Sequence, residues 1–237
     1  MNKQQLPPYE PVKIDEKFWA IEQNGVRCYL FEGEDMALLV DAGFGGDLKT
    51  VCEKLTDKPI QLVITHADGD HMGAASQFGP YYMHPAEYSY YHIRNGKQPD
   101  AIPLWEGDKI DIGSFCFEIV LIPGHTPGSI ALLEREKRFI LTGDTVGKVP
   151  VYMFGTGRNL PAYLATIGKL TDLAPAFDTI WPAHGKRPLT PDILDSLRLL
   201  AAEILADKWP APQPAAPHMP ESVKVYSDHG VAFFLEK

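Results

Sequence analysis

Thr65-His66-Ala67-Asp68-Gly69-Asp70-His71 is the stretch that decides how this chain folds. It places the metal-binding side chains of His66, Asp68, Asp70 and His71 within six residues. A mostly apolar run at residues 61–64 precedes it, and such a run is typical of a buried strand. Glycine in the middle of the stretch lets the backbone turn tightly enough to direct several side chains to one point. The pattern predicts a metal site at the carboxyl end of a strand; the other interpretation is a polar turn with histidines present by chance.

Three more strand ends carry residues of the same kind. His125 follows an apolar run that ends at residue 122, Asp144 follows the run 138–141, and His184 follows the run 179–181. Considered one at a time, the two histidines could be ordinary loop residues and the aspartate a turn residue. Considered together, an interpretation without a metal requires a coincidence at every one of these strand ends.

With these residues in view, the chain resembles the metallo-beta-lactamase-fold hydrolases, whose signature is His-x-His-x-Asp-His followed by a His, an Asp and a final His. The resemblance covers nearly the whole chain and implies an α/β fold, a four-layer αββα sandwich with the site at the edge between two sheets. It also implies two divalent metal ions and their ligands, with zinc as the first choice of metal and iron or manganese as the alternatives. The implied ligands are His66, Asp68 and His125 for one metal, Asp70, His71 and His184 for the other, and Asp144 as a bridge between them.

Asp68 departs from the family pattern, because it stands where the second histidine of the motif is expected. With Asp68 as a ligand, three carboxylates face two dications, so the formal surplus is one positive charge and a bound water should be less acidic. An oxygen ligand also favours iron or manganese somewhat relative to zinc. The alternative is that Asp68 does not reach the metal and only accepts hydrogen bonds near it, in which case one metal binds tightly.

The chemistry of these residues predicts a metal-dependent hydrolase. Two bound metals lower the pKa of water and polarise a carbonyl or phosphoryl oxygen, so no side-chain nucleophile is needed. We expect a metal-bound hydroxide to attack a small ester, thioester, lactone or amide-like substrate, with Asp70 as ligand and proton acceptor. Two alternatives stay open at this stage: a di-iron oxidoreductase, because flavodiiron proteins also carry a carboxylate at the position of Asp68, and a weakly active, metal-holding ligand sensor.

Composition sets bounds on partners and compartment. The chain has 237 residues, 45% of them hydrophobic, and its formal net charge of -9 argues against the nuclease branches of the superfamily. Cys28, Cys52 and Cys116 show no C-x-x-C spacing and are predicted to be three buried thiols in a reducing compartment. No apolar leader or membrane-length run is present in the sequence. We therefore expect a cytoplasmic protein with no membrane or nucleic-acid partner, and the sequence leaves a homo-oligomer open.

The chain is predicted to form a single domain over residues 1–237. Asn24-Gly25 marks a hairpin, residues 47–55 and 160–170 have helical spacing, and Asp47 is a plausible helix cap. Near the end we predict a helix at about 191–206, a Pro/Ala-rich linker at about 210–220 and a terminal hairpin.

Five residues outside the ligand set are candidates for supporting roles. Asp41 ends an early strand, and in the family such an aspartate supports the motif loop; the other interpretation is a turn residue. The Gly-rich stretch after Asp144 supplies candidates for the substrate pocket, namely Tyr152, Met153, Phe154 and Arg158. Arg158 would hold a carboxylate or phosphate at two points, or else be a solvated surface charge.

Overall fold

Strands in parallel pairs precede the motif loop, Asp144 and His184. The computed structural model describes residues 6–209, 211–216 and 219–236, and its backbone divides into two units, Met1–Ile119 and Val120–Lys237.

The first unit is built on a seven-stranded sheet whose strand order follows the chain. Its strands are β1 (Glu10–Asp15), β2 (Phe18–Gln23), β3 (Val26–Glu32), β4 (Ala37–Val40), β5 (Ile60–Val63), β6 (Tyr81–Met83) and β7 (Ala101–Pro103). The first four strands pair antiparallel, and the pairs from β4 to β7 are parallel. Because the carboxyl ends of parallel strands lie at one edge of a sheet, the loops after β4 and β5 leave side by side.

Local sequence explains the connections in this unit. Asn24 and Gly25 both have positive φ, 50° and 85°, as the predicted tight hairpin between β2 and β3 requires. Helix α1 (Leu48–Glu53) begins after Asp47, whose carboxylate accepts a hydrogen bond from the Thr50 N–H as the capping prediction expects.

The motif loop itself contains a short helix. It is α2 (Gly69–Met72), and α3 (Glu87–Asn95) follows β6. Strand β8 (Lys109–Asp111) pairs antiparallel with the start of β9 (Cys116–Leu121), which crosses the boundary between the units.

The second unit repeats the arrangement of parallel strands that end at candidate ligands. Strands β10 (Ile130–Glu134) and β11 (Phe139–Gly143) pair antiparallel, and β11 pairs parallel with a later strand, β13 (Thr179–Pro182). Gly143 lies opposite Pro182, so the loops that carry Asp144 and His184 leave the same edge of the sheet.

The remaining elements of this unit cover that sheet and form a second, smaller one. They are β12 (Val151–Tyr152), α4 (Leu160–Leu173), α5 (Ile193–Leu205), β14 (Gln213–Pro214), β15 (Val223–Asp228) and β16 (Val231–Glu236). Strands β12, β16, β15 and β14 are neighbours in that order. Helices α4 and α5 bury their apolar faces in a cluster that includes Tyr163, Ile167 and Leu197.

Two sequence expectations need correction. Residues 213–214, expected in a linker, form a short edge strand against β15, where proline is tolerated because an edge strand need not donate every N–H; residues 210, 217 and 218 of that linker lie outside the described residues. Cys28 and Cys52 are buried as expected, but Cys116 is partly exposed. In the part of the chain that the structure describes, no helix is long and apolar enough to span a membrane.

Candidate metal centre

Asp41 organises the motif loop from the neighbouring strand. Its backbone has a positive φ of 65°, an uncommon conformation for a residue with a side chain. Its carboxylate accepts hydrogen bonds from the Thr65 N–H at 2.7 Å, from the Thr65 hydroxyl at 2.8 Å to Oδ2, and from His71 Nδ1 at 2.8 Å. Because a carboxylate only accepts, His71 must carry its proton on Nδ1, and its Nε2 then has the lone pair that a metal needs.

His66 is held in the same tautomer by a relay. The Thr65 hydroxyl gives its proton to Asp41 and therefore accepts from His66 Nδ1, which lies 3.1 Å away. The imidazole rings of His66 and His71 have centroids 4.0 Å apart and are both buried. The motif loop thus presents the Nε2 atoms of two neutral histidines.

In the first unit, each Nε2 lies close to a carboxylate of the motif. His66 Nε2 is 3.6 Å from Asp68 Oδ2, and His71 Nε2 is 3.8 Å from Asp70 Oδ2. These separations are too long for hydrogen bonds. Two ligands of one tetrahedral ion lie roughly 3.3–3.6 Å apart when each bond is about 2.0–2.2 Å, so the first separation falls in that range and the second is slightly longer.

The second unit shows the same spacing around one aspartate. Asp144 Oδ2 lies 3.7 Å from His125 Nε2, and Asp144 Oδ1 lies 3.4 Å from His184 Nε2. His125 Nδ1 donates to the backbone oxygen of Tyr152 at 2.9 Å, which leaves the lone pair on Nε2. Asp144 therefore offers one oxygen to each of two imidazoles, the arrangement expected of a bridging carboxylate.

Gly124 fixes the loop before His125. Its φ is +136°, and a Cβ at this position would lie 2.4 Å from Tyr163 Cα at the start of α4. The Gly124 carbonyl accepts from the Asn159 N–H, and the buried Tyr163 hydroxyl donates to the Thr145 carbonyl at 2.7 Å. Helix α4 is thus tied to the loops on both sides, those of His125 and Asp144.

Asp68 is engaged in contacts that the motif did not predict. Its Oδ1 accepts hydrogen bonds from the Tyr90 hydroxyl and from Arg94 Nη1, the latter at 2.7 Å, and Arg94 Nη1 also lies 2.6 Å from the Tyr90 oxygen. The charge count made from the sequence considered only the ligands, so it omitted the positive charge of Arg94. Arg94 offsets the carboxylate of Asp68 and adds a positive charge to that count, and the expected lower acidity of a bound water stays a prediction.

Glu87 is a second contact of the motif loop that the sequence did not single out. It is fully buried on α3, and its Oε2 accepts from the Ala67 N–H at 2.7 Å. Glu87, Tyr90 and Arg94 stand at i, i+3 and i+7 and so share one helical face. A row of polar groups at helical spacing within an aromatic segment was the signal that could have found them.

The substrate candidates differ in their exposure. Tyr152 is 39% exposed, and its ring contacts those of Phe154 and Phe234 at centroid distances of 5.6 and 4.9 Å. Met153 is buried within the hydrophobic core of the second unit, so it is poorly placed to form a pocket wall. Arg158 donates to the Thr156 carbonyl at 3.4 Å. Binding of substrate by these residues stays a prediction.

The donor set fits divalent metal ions in both units. His66, His71 and His125 each keep a lone pair on Nε2, and each Nε2 has a carboxylate oxygen 3.6–3.8 Å away. Imidazole and carboxylate together suit zinc, iron and manganese.

Comparison with known families identifies the superfamily of this chain. The model of the metallo-beta-lactamase superfamily matches residues 22–206, which covers most of both units. The chain belongs to this superfamily. As a member with related hydrolases among its relatives, it is a metal-dependent hydrolase.

Curated relatives of this superfamily member include named hydrolases. The hydroxyacylglutathione hydrolase GloC of Haemophilus influenzae is 28% identical over 149 residues, which is 54% of this chain and 68% of that protein. The acyl-coenzyme A thioesterase MBLAC2 of Gallus gallus is 24% identical over 215 residues, covering 72% of this chain and 76% of that protein.

Solved structures confirm the predicted fold class. A metallo-beta-lactamase from Pontibacter korlensis matches with a TM-score of 0.72 and 19% identity, covering 82% of this chain and 99% of that one. The mono-zinc form of FIM-1 from Pseudomonas aeruginosa matches with a TM-score of 0.67 and 17% identity, covering 84% and 96%. The chain therefore has the metallo-beta-lactamase fold.

Proposed function

We propose that this protein hydrolyses a small thioester or ester with the help of two divalent metal ions. The observation that carries the proposal is the Nε2-to-carboxylate spacing of 3.4–3.8 Å, which recurs at four pairs of candidate ligands. By resemblance to the superfamily, the ligands are divided as follows: His66, Asp68 and His125 for one ion, Asp70, His71 and His184 for the other, and Asp144 between them.

In this proposal, the side chains of the protein hold the metal ions, orient their ligands and accept a proton. Metal ions bound here would lower the pKa of water and polarise the substrate carbonyl. Asp41 and Thr65 keep His71 and His66 in the required tautomer. Asp70, whose side chain is partly exposed, is the proposed proton acceptor in the reaction as well as a ligand.

The preference for a thioester comes from the relatives. One is named a hydroxyacylglutathione hydrolase and another an acyl-coenzyme A thioesterase, and both names describe cleavage of an acyl group from sulfur. Lactones and amide-like compounds are the wider class that the same chemistry would accept. Cytoplasmic location and a small-molecule substrate complete the proposal.

Metal analysis combined with a substrate panel tests this function. Protein purified without added metal is analysed for zinc, iron and manganese, and then assayed on acyl-thioesters, aryl esters and lactones. We expect bound divalent metal and hydrolysis that a chelator abolishes and added metal restores. A metal-free, inactive protein would overturn the proposal.

Asp68 gives one competing function a specific basis. A carboxylate at this position also occurs in flavodiiron proteins, so a di-iron oxidoreductase is the second candidate. A coloured, iron-loaded protein that consumes oxygen with an added electron donor, but hydrolyses no member of the panel, would favour it. A metal-loaded protein inert in both assays would instead favour a ligand sensor.

A further inference from the structure

We propose that Tyr90 and Arg94 are positioning residues that make Asp68 a metal ligand equivalent in charge to the histidine it replaces. This inference rests on the proposed function, because it assigns a role to residues beside the proposed metal site. It concerns one face of α3, defined here by Glu87, Tyr90 and Arg94.

The contacts divide the two oxygens of Asp68 between different tasks. Oδ1 accepts from both the Tyr90 hydroxyl and Arg94 Nη1. Oδ2 is the oxygen that lies 3.6 Å from His66 Nε2, at the spacing of two ligands on one ion. Two hydrogen bonds to Oδ1 restrict the rotation of the carboxylate about χ2, so Oδ2 keeps its direction toward the proposed site.

The charges explain why an arginine accompanies this aspartate. Replacing a neutral imidazole with a carboxylate adds one negative charge to the site. The guanidinium of Arg94 removes that difference, since the Asp68–Arg94 pair has no net charge at neutral pH. The side chain of Asp68 is only 12% exposed, so solvent screens this pair less than a surface ion pair, although Arg94 itself is 43% exposed.

Helix α3 is held against the motif loop by contacts at Glu87 and Tyr90 as well as at Arg94. Glu87 accepts from the Ala67 N–H, one residue before Asp68, and so ties the first turn of α3 to the motif loop. Tyr90 is 5% exposed, and the Arg94 guanidinium carbon lies 5.4 Å from the centroid of its ring, which limits the conformations of the arginine. The whole face therefore contacts the motif loop at two consecutive residues, Ala67 and Asp68.

The stepwise affinities for zinc test the proposal directly. They are measured by competition with a chromophoric chelator for the wild type, Arg94→Met and Tyr90→Phe. We expect Arg94→Met to weaken one of the zinc-binding steps by roughly ten- to a hundredfold, the usual cost of losing a hydrogen-bonding partner of a metal ligand, and Tyr90→Phe to weaken the same step less.

Two matched variants control for general effects of the substitutions. Arg138→Met removes an arginine of nearly equal exposure, 44%, that pairs with Asp178 at 2.8 Å in the second unit. Tyr88→Phe removes a hydroxyl from the same helix, where it contacts the Ala101 carbonyl at 3.5 Å. Both controls should bind zinc as the wild type does.

A double-variant cycle with Asp68→His separates action through Asp68 from a merely structural role. If Arg94 acts through the carboxylate, Arg94→Met should no longer lower zinc affinity once Asp68→His is also present. An equal loss in both backgrounds would show that Arg94 stabilises the loop in general and would overturn the proposal.

Two further readouts complete the test. The absorption spectrum of the cobalt(II)-loaded protein should change in Arg94→Met and return toward the wild-type spectrum in Arg94→Lys, which restores the charge. Wild-type zinc affinities and spectrum in Arg94→Met would refute the proposal. So would a variant altered only in the KM for anionic substrates, because Arg94 would then contact substrate and not act through Asp68.

Failure of this inference can be told apart from failure of the proposed function. A wild-type protein that binds no metal and hydrolyses nothing would contradict the proposed function. A wild-type protein that binds metal and hydrolyses thioesters, with an Arg94→Met variant indistinguishable from it, would contradict only the role of Arg94.

Discussion

Asp144 is the single residue on which the proposed metal pair depends most. Its two oxygens lie 3.7 and 3.4 Å from the Nε2 atoms of His125 and His184. Without the bridging carboxylate, two dications would repel each other across a site that has lost a negative charge. We expect Asp144→Ala to lose at least one metal and nearly all hydrolysis, measured by elemental analysis and steady-state assay.

An isosteric variant and a surface variant sharpen that test. Asp144→Asn keeps the size of the side chain but not its charge, and should resemble Asp144→Ala. Asp178→Ala removes an exposed carboxylate of the same unit and should keep metal and activity. Unchanged metal content in both Asp144 variants would disprove the bridging role.

Arg158 is the residue that would give the enzyme a preference for negatively charged substrates. If its guanidinium clamps an anionic group, Arg158→Met should raise the KM for anionic substrates by roughly ten- to a hundredfold and spare neutral ones. The comparison needs a charged and an uncharged thioester of the same acyl group, with Arg138→Met as the control. Equal changes for both substrates would mean that Arg158 has a structural role.

Among the elements, helix α4 and the His125 loop are packed with no space for a side chain between them. At Gly124, a Cβ would meet Tyr163 Cα at 2.4 Å and its N at 2.6 Å. We expect Gly124→Ala to lower the free energy of unfolding by about 2–4 kcal/mol, since the clash is with backbone that cannot move aside. Urea denaturation measures the change.

Gly155→Ala is the matched control for this prediction. Gly155 also has a positive φ, +83°, but nothing lies within 4 Å of the position of its Cβ. We expect Gly155→Ala to lower the free energy of unfolding only by the backbone strain, about 1 kcal/mol. Similar losses for the two variants would mean that the close packing of Gly124 against α4 contributes little.

The elements also show what the sequence could and could not reveal. The strand ends were predictable because each apolar run breaks into a turn, and the parallel pairs β4–β5 and β11–β13 bring those turns to common edges. The partners of Asp68 were not predictable, because Arg94 is 26 residues away along the chain. Contacts between residues far apart in the sequence are not visible in local sequence patterns.

The reactivity of the three cysteine thiols measures how well the folded molecule buries them. Burial raises the pKa of Cys52 to about 12 and raises that of Cys28 well above its usual value, so both thiols are protonated at pH 8. Cys116 is partly exposed. We expect a disulfide reagent at pH 8 to modify one thiol per native chain readily, and all three in denaturant.

The outcome of thiol labelling also checks the first unit. Since thiolate is the reactive form, Cys28 and Cys52 would become reactive only as pH rises toward their raised pKa values or as the fold opens. Rapid modification of all three thiols in native protein would show that the sheet and α1 do not bury Cys28 and Cys52.

The number of domains is a property of the whole molecule. The superfamily match extends from residue 22 to residue 206 and so includes residues of both units. This supports the prediction from the sequence that the chain is a single domain. A single cooperative unfolding transition, which shifts upward on adding metal, is the result we expect from calorimetry.

Metal stoichiometry of the wild type and of Asp68→His, each purified without added metal, tests the central claim most directly. If Asp68 is a ligand held in place by Tyr90 and Arg94, both proteins should contain about two divalent ions per chain. About one ion in the wild type and about two in Asp68→His would contradict the account, because Asp68 would then be a bystander.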